Sequence, residues 1–198
     1  GAHPLPLVTV VITHYNRPLL LPLAVQSVAN QDYPLDKIQL VIVDDGSPQE
    51  DVPAALDALE RNFSFAARGW VLLREPNRYL GGARNRGFSE ARGKYVLFMD
   101  DDNCAKPFEV STFVRAMESS GVDMMTSHVD FVWGQDMPAP PQPAPQGSQA
   151  ATAEALPTGQ RASPSFVFLG GSAEVGVFKN CFGDANSFFR RDSFAALG

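Results

Sequence analysis

Three adjacent carboxylates, Asp100, Asp101 and Asp102, follow the apolar run YVLFM. Adjacent carboxylates repel one another, and no basic residue stands next to them, so placing them at the end of a buried strand is electrostatically unfavourable. A divalent cation held by hard oxygen ligands removes this repulsion, and Mg²⁺ or Mn²⁺ suits such ligands. In an extended segment Asp100 and Asp102 point to one side and Asp101 to the other, so the first and third can face one metal ion. The alternative is that these residues and Asn103 form a turn and cap the next helix.

A second acidic segment, Asp44–Ser47 with the sequence DDGS, follows the apolar run IQLVIV. Taken alone it is a turn, in which the glycine supplies a positive φ and the carboxylates accept backbone hydrogen bonds. However, two other predicted strands also end in polar residues, at Thr13 and Asp100. The carboxyl ends of parallel strands meet at one edge of a sheet, so these residues together predict a binding cleft at that edge.

A basic segment lies between the two acidic ones in the sequence. It has six basic residues against two acidic ones, a local excess of four, although the whole chain carries a net charge of −6. The basic residues are Arg74, Arg78, Arg84, Arg86, Arg92 and Lys94, and the acidic ones are Glu75 and Glu90. Residues 77–85 also begin a predicted helix, whose first N–H groups and dipole favour a phosphate. The alternative is a solvated helix face, which fits Arg84 least because Arg84 lies beside the apolar stripe of that helix.

A metal ion beside a basic helix start is what a nucleoside diphosphate leaving group requires. The cation bridges the diphosphate and stabilises the charge that develops when the bond to a sugar breaks. Neither the G-x-G-x-x-G fingerprint nor the G-x-x-x-x-G-K-[ST] phosphate loop occurs in the chain. The pattern therefore favours glycosyl transfer.

Alternating elements must position these groups. Short apolar, β-branched runs predict strands, and apolar residues at helical spacing predict helices between them. The predicted strands cover residues 7–13, 38–43, 70–73 and 95–99, and the predicted helices cover 20–29, 52–59, 80–91 and 107–120. Four such alternations predict an α/β fold with a mostly parallel sheet and helices on both faces. A further strand is predicted over 122–131, strand-like segments over 166–178 and 181–189, and a last helix from 191.

Composition narrows the class of protein. With 198 residues, 44% apolar and 19% charged, the chain is expected to form one globular domain. The net charge of −6 disfavours nucleic acid and anionic lipid as partners. No apolar run reaches the roughly 18 to 20 residues of a membrane span, and no signal-sequence pattern follows Gly1. Cys104 and Cys181 are too few for a disulfide scaffold and are expected to be reduced. A cytoplasmic protein is expected, with peripheral membrane attachment left to parts of the protein outside this chain.

Five segments resemble the pattern of glycosyltransferase family 2 on the GT-A, Rossmann-like fold. They are VTVVITHYNR, VIVDDGS, NRYLGGARNRG, ARGKYVLFMDDDN and GDANSFFRRDSFAALG. The resemblance implies one GT-A domain over residues 1–198, cut short at its C-terminus. Residues 1–131 would be the nucleotide-binding half and 166–198 the start of the half that faces the sugar and the acceptor. Between them, residues 137–165 are rich in Pro, Ala, Gln and Gly, which predicts a disordered, flexible surface insertion.

The resemblance also implies roles for single residues. Thr13 and Tyr15 would line the nucleobase pocket, and Asp44 would accept a hydrogen bond from the base. Asp100 and Asp101 would contact the ribose and nearby donor groups, Asp102 would ligate the metal with Asp100 beside it, and Arg78 or Arg84 would meet the base or the diphosphate. Asp184 and Asn186 would face the donor sugar and the acceptor.

Two residues and one missing group depart from the family pattern. Asn103 stands where relatives often carry another aspartate, and His14 where a small or hydroxyl residue is commoner. His14 is either a neighbour of the base or a structural histidine. The catalytic general base is expected after Gly198.

The leading hypothesis is a metal-dependent, hexosyltransferase-like enzyme that is inverting and transfers a sugar from a UDP-sugar. The acceptor hydroxyl would belong to a saccharide, lipid or protein. The alternative is a non-catalytic GT-A-like module that binds nucleotide or scaffolds a partner within a larger protein. A third possibility, a nucleotidyltransferase, would share metal and phosphate binding but release pyrophosphate from a nucleoside triphosphate.

Overall fold

The computed structural model describes residues 4–127 and 186–196. Six strands lie in these ranges: β1 Val8–His14, β2 Ile38–Asp44, β3 Val71–Arg74, β4 Tyr95–Asp100, β5 Met124–Thr126 and β6 Ser187–Arg190. The helices are α1 Leu21–Ala29, α2 Val52–Asn62, α3 Phe65–Arg68, α4 Tyr79–Ser89, α5 Glu109–Ser120 and α6 Arg191–Ala195, with a 3₁₀ turn at Leu35–Lys37. The four predicted alternations of strand and helix are therefore confirmed.

All six strands form one sheet in the order β3-β2-β1-β4-β6-β5. β3, β2, β1 and β4 run parallel, and β6 pairs antiparallel with both β4 and β5. The register sets Thr13 of β1 beside Asp100 of β4 and His14 beside Asp44 of β2. The predicted α/β fold with a mostly parallel sheet is thus confirmed, and the three polar strand ends meet at one edge.

Helices cover both faces of the sheet, which explains why every residue of β1 and β2 is buried. Side chains alternate along β1, so that Val8, Val10 and Ile12 pack in the core with α1, α2 and α5. Val11 points to the opposite face and packs in a smaller cluster with Ala83 of α4. The sheet is a rigid base for the loops that follow its strands.

Aromatic contacts fix β6 beside β4. The ring of Phe188 stacks on Tyr95 with centroids 5.2 Å apart and on Phe113 of α5 with centroids 4.9 Å apart. Because β6 is antiparallel to β4, its first residues lie near the carboxyl end of β4. Asn186, directly before β6, is therefore brought close to the segment that carries the three aspartates.

Several predicted features fall outside the described residues: the insertion over 137–165, Cys181, Asp184 and most of residues 166–198. Of the strand predicted over 122–131, the described part contains only Met124–Thr126. Over the described ranges, no helix has the length and apolar character that crossing a bilayer would require.

Candidate functional site

A cleft of about 410 Å³ opens where the parallel strands end. The end of β1 and the loop after it contribute Thr13, His14, Tyr15 and Arg17 to its walls, and the ends of β2 and β4 contribute Asp45 and Asp100. The opposite wall is the start of α4, with Asn77, Tyr79, Leu80 and Ala83. The predicted cleft at this edge of the sheet therefore exists, and it joins acidic strand ends to a helix start.

Asp101 is buried beneath the cleft and pairs with His14. Both residues are only 1% exposed, and Asp101 Oδ2 lies 2.7 Å from His14 Nδ1. The backbone N–H of Tyr15 also donates to Oδ2, at 3.3 Å. An ionised carboxylate can only accept hydrogen bonds, so Nδ1 carries the hydrogen. Asp101 Oδ2 is thus already hydrogen-bonded to the His14 ring and to the backbone of Tyr15.

Asp100 and Asp102 are accessible, and each is paired with an arginine. Arg84 Nη2 donates to Asp100 Oδ1 at 3.0 Å, and Arg17 Nη1 donates to Asp102 and lies 3.3 Å from Asp101 Oδ1. The side chains of Asp100 and Asp102 are 27% and 43% exposed. The sequence neighbours of the aspartates offer no counter-charge, but the fold supplies one from residues 16 and 85 positions away.

The carboxylates at the cleft suit a metal ion only if water and the phosphates of a substrate supply its other ligands. Within residues 4–127 and 186–196, no group of three or more His, Cys, Asp or Glu side chains is arranged to hold a metal. Mg²⁺, however, is commonly bound by one or two carboxylates, waters and the phosphates of a substrate. The accessible pair Asp100 and Asp102 suits such a shared site and does not form an all-protein cage. Their assignment as metal ligands stays a prediction.

The alternative of a helix cap is wrong for these aspartates, whereas the turn is real. α5 begins only at Glu109, and the N–H of Asn103 donates to the carbonyl of Asp100 at 3.2 Å, which closes a tight turn. The turn directs Asp101 inward and leaves Asp100 and Asp102 accessible. Asp101 therefore points away from Asp100 and Asp102, as expected for an extended segment, but the turn produces this split, because β4 ends at Asp100.

The second acidic segment presents Asp45, not Asp44, to the cleft. Asp44 accepts a 2.5 Å hydrogen bond from the Ser47 hydroxyl, and the Ser47 oxygen accepts the N–H of Asn16 at 2.9 Å. Asp44 therefore holds the loop after β1 in position through Ser47. Asp45 lines the cleft, and its Oδ1 accepts the N–H of Arg78 at 2.7 Å. The contact between Asp44 and a base that the resemblance implies stays a prediction, whereas the carboxylate that lines the cleft here is Asp45.

The other residues implied by the resemblance divide between the cleft and its surroundings. Thr13 is buried and Tyr15 is 42% exposed, and both line the cleft. Arg84 reaches the same wall through its bond to Asp100. Arg78 is exposed at the start of α4, and the described contact that ties it to the site is its backbone N–H.

Asn186 supports the acidic turn through a chain of side-chain hydrogen bonds. Asn103 Nδ2 donates to Asn186 Oδ1 at 3.2 Å, and Asn186 Nδ2 donates to Glu109 Oε1 at 3.2 Å. Glu109 is buried, and this burial raises the pKa of its carboxyl group. Asn103, which departs from the family pattern, thus has a structural partner. Asp184 lies outside the described residues.

Sequence reasoning missed four residues at the cleft, Arg17, Asp45, Asn77 and Tyr79. Tyr79 has an unusual backbone conformation, because its φ of 60° is rare for a residue with a side chain. The residue is also 83% exposed. An exposed aromatic residue at a helix start is a weak signal in sequence. For Arg17 no local signal exists, since its acidic partners lie 84 and 85 positions away.

An α/β sheet with a charged cleft at the carboxyl ends of its strands is typical of nucleotide-binding proteins. The chain belongs to glycosyl transferase family 2, whose model matches residues 9–169. It is 32% identical over 129 residues to an uncharacterized glycosyltransferase of Nostoc sp., covering 65% of this chain and 38% of that protein. It is also 32% identical over 126 residues to the dolichyl-phosphate beta-glucosyltransferase of Saccharomyces cerevisiae, covering 60% and 37%.

Solved structures confirm the GT-A fold. A mannosyltransferase of Pyrobaculum calidifontis, in complex with GDP-Man and Mn2+, aligns with a TM-score of 0.51 at 26% identity and covers 61% of this chain and 35% of that one. S. aureus TarS 1-349 in complex with UDP-GlcNAc aligns with a TM-score of 0.63 at 16% identity, covering 96% and 47%. The chain spans roughly two fifths of the two curated relatives above, 38% and 37%.

Proposed function

We propose that this chain is the donor-binding part of a glycosyltransferase that moves a sugar from a UDP-sugar to an acceptor hydroxyl. One observation carries the proposal: two accessible carboxylates, Asp100 and Asp102, lie beside the cleft together with two arginines, Arg17 and Arg84. This combination suits a ligand that brings both a divalent cation and a diphosphate. The relatives' names and the nucleotide sugars bound to solved family neighbours support the same class of reaction.

Different residues of the cleft would contact the base, the metal ion and the diphosphate of the donor. Asp45 accepts a hydrogen bond from an N–H of the base, and Thr13 and Tyr15 form the wall beside it. Asp100 and Asp102 would hold a Mn²⁺ or Mg²⁺ ion, which would neutralise charge on the diphosphate and so make it a better leaving group. Arg84, whose Nη2 lies 3.0 Å from Asp100 Oδ1, would donate to a phosphate oxygen.

Transfer with inversion needs an in-line attack by the acceptor oxygen on the anomeric carbon. The bond from that carbon to the diphosphate oxygen breaks, the new glycosidic bond forms on the opposite side, and the acceptor's proton passes to a carboxylate base. Asn186 and Asp184 are proposed to lie near the transferred sugar.

Calorimetry of UDP binding tests the proposal directly. UDP should bind the chain in Mn²⁺ and much more weakly in excess chelator, because the cation links the carboxylates to the diphosphate. Asp102→Asn should remove most of the Mn²⁺-dependent gain, whereas Asp57→Asn, which changes an exposed carboxylate on α2 paired with Arg74, should not. Arg84→Ala should weaken UDP more than uridine. Equal UDP affinity with and without metal would contradict the proposed site.

Product analysis with the whole protein separates the remaining functions. Release of UDP together with a new glycoside supports a transferase, and loss of that product in Asp102→Asn links it to this cleft. Metal-dependent UDP binding with no transfer to any acceptor would favour the non-catalytic module. Release of pyrophosphate from a nucleoside triphosphate would favour a nucleotidyltransferase.

A further inference from the structure

His14 has one ring nitrogen that the described residues leave without a partner. The residue lines the cleft and is 1% exposed, and its Nδ1 is held by Asp101 at 2.7 Å. Its Nε2 is buried and makes no hydrogen bond within residues 4–127 and 186–196. Buried polar atoms in folded proteins nearly always have a partner, so this nitrogen calls for an explanation.

The contact with Asp101 determines what kind of partner Nε2 can take. Asp101 accepts the Nδ1 hydrogen, so in neutral His14 the Nε2 atom carries a lone pair and acts as an acceptor. A phosphate oxygen is also an acceptor and cannot satisfy it. For the neutral imidazole the missing partner must therefore donate, through an O–H or an N–H group.

The position of His14 in the sheet narrows this choice. His14 ends the central strand β1, with β2 on one side and β4 on the other. Asp45, the carboxylate proposed for the base, follows β2. The carboxylates proposed for the metal lie at the end of β4, where Asp100 is its last residue and Asp102 follows it. In a nucleoside diphosphate the ribose connects these two parts, so the group that passes nearest His14 is the ribose with its hydroxyl groups.

We propose that His14 is a specificity-determining residue that accepts a hydrogen bond from a ribose hydroxyl of the donor through Nε2. This inference rests on the proposed function and deepens it. Asp101, which the resemblance had placed on the ribose, acts instead as the positioning residue that holds the imidazole through Nδ1. Hydroxyl, imidazole and buried carboxylate then form one chain of hydrogen bonds.

Asparagine at position 14 gives a matched test. The amide N–H of Asn can replace the Nδ1 hydrogen toward Asp101, but Asn has no atom at the Nε2 position. Gln is the complementary variant, since its longer side chain can place an acceptor near Nε2. Calorimetry in Mn²⁺ then compares UDP, 2′-deoxy-UDP and 3′-deoxy-UDP on the wild-type chain, His14→Asn and His14→Gln.

The expected result is a loss of discrimination in one variant only. Wild type should bind one of the two deoxy analogues about tenfold more weakly than UDP, which is the size of one well-made hydrogen bond. His14→Asn should bind UDP as weakly as wild type binds that analogue, and should no longer distinguish the two. His14→Gln should restore part of the preference.

Each other outcome has a distinct meaning. Undiminished discrimination in His14→Asn would overturn the role of His14 and leave the proposed function intact. An equal loss for all three ligands, or a loss of Mn²⁺ binding in the absence of nucleotide, would also overturn it, because the first indicates a purely structural role and the second a metal ligand. Absence of Mn²⁺-dependent UDP binding by wild type would refute the proposed function and this inference with it. If His14→Asn does not fold, as judged by circular dichroism, the test uses His14→Gln instead. Its discrimination among the three ligands is then compared with that of wild type.

Discussion

Gly87 of α4 lies directly against Val11 of β1: a Cβ atom on Gly87 would stand 2.3 Å from Val11 Cγ1 and 3.2 Å from Val43 Cγ2. This close approach sets the distance between the helix and the sheet, and the same helix carries one wall of the cleft at its other end. We expect Gly87→Ala to lower the free energy of unfolding by about 1–3 kcal/mol, because well-packed interiors tolerate extra carbon atoms poorly.

Gly81 is the matched control for this prediction. It lies on the same helix, and a Cβ built on it would have no atom within 4 Å. Gly81→Ala should therefore stabilise the protein by up to about 1 kcal/mol through the better helix propensity of alanine. Urea unfolding of both variants makes the comparison. Equal effects at the two positions would show that the contact with Val11 does not set the packing.

Tyr79 combines an unfavourable backbone conformation with an exposed ring at the cleft. Tyr79→Gly should raise the free energy of unfolding by about 0.5–1 kcal/mol, since glycine relieves the left-handed strain and little packing is lost. The same variant should bind UDP more weakly, because it removes an aromatic surface from the cleft wall.

Tyr79→Ala separates the two effects. It also removes the ring but keeps a Cβ at φ 60°, so UDP should bind it as weakly as the glycine variant without the gain in stability. Thermal unfolding and calorimetry of the two variants give both quantities. A loss of stability in Tyr79→Gly would show that the ring packs against the protein.

If Asp102 ligates a metal ion as proposed, Arg17 competes with that ion for its carboxylate. The guanidinium donates to Asp102 and lies 3.3 Å from Asp101, so it occupies the carboxylate that is proposed to bind the cation. Arg17→Gln should therefore bind Mn²⁺ alone about two- to fivefold more tightly, as expected from the modest strength of an accessible ion pair.

Electron paramagnetic resonance of free Mn²⁺ measures this affinity. Arg74→Gln is the control, because Arg74 pairs with Asp57 and Glu60 of α2, away from the cleft, and should leave Mn²⁺ binding unchanged. Unchanged or weaker Mn²⁺ binding in Arg17→Gln would argue against Asp102 as a ligand.

Glu109 should give the stability a pH dependence of unusual sign. Burial raises the pKa of its carboxyl group, so the folded protein keeps this proton to a higher pH than the unfolded chain does. Its contribution to stability is therefore lost as the pH rises from the unfolded value, about 4.3, through the folded pKa. Relative to wild type, Glu109→Gln should gain stability over this interval, as measured by urea unfolding at a series of pH values.

Glu118 provides the opposite control. Its hydrogen bonds from Lys94 and Tyr95 lower the pKa of its carboxyl group, so its contribution is present above the unfolded pKa and lost as the pH falls through the folded value. Glu118→Gln should thus lose stability relative to wild type as the pH rises through this acid interval. The effect should be small, because the side chain is 44% exposed. The same pH trend in both variants would contradict the assignment for Glu109.

The sequence by itself determined the order of strands and helices and the edge at which the polar residues meet. Both follow from local patterns: β-branched runs such as VTVVIT are buried as strands, and a parallel sheet brings the ends of its strands to one side. It also led to the expectation that Asp100 and Asp102 point to one side and Asp101 to the other. That Asp101 is the buried one was decided by the turn after β4, which ends at Asp100.

Only the tertiary structure decided which partners these residues have. The pairs His14 with Asp101 and Arg17 with Asp102 join positions 87 and 85 residues apart, and no local pattern encodes them. Likewise, Asp45 and not Asp44 faces the cleft because Ser47, itself bonded to Asn16, holds Asp44. Local periodicity fixes which face of an element is buried, whereas side-chain partners depend on strand register and on loops that pack from distant parts of the chain.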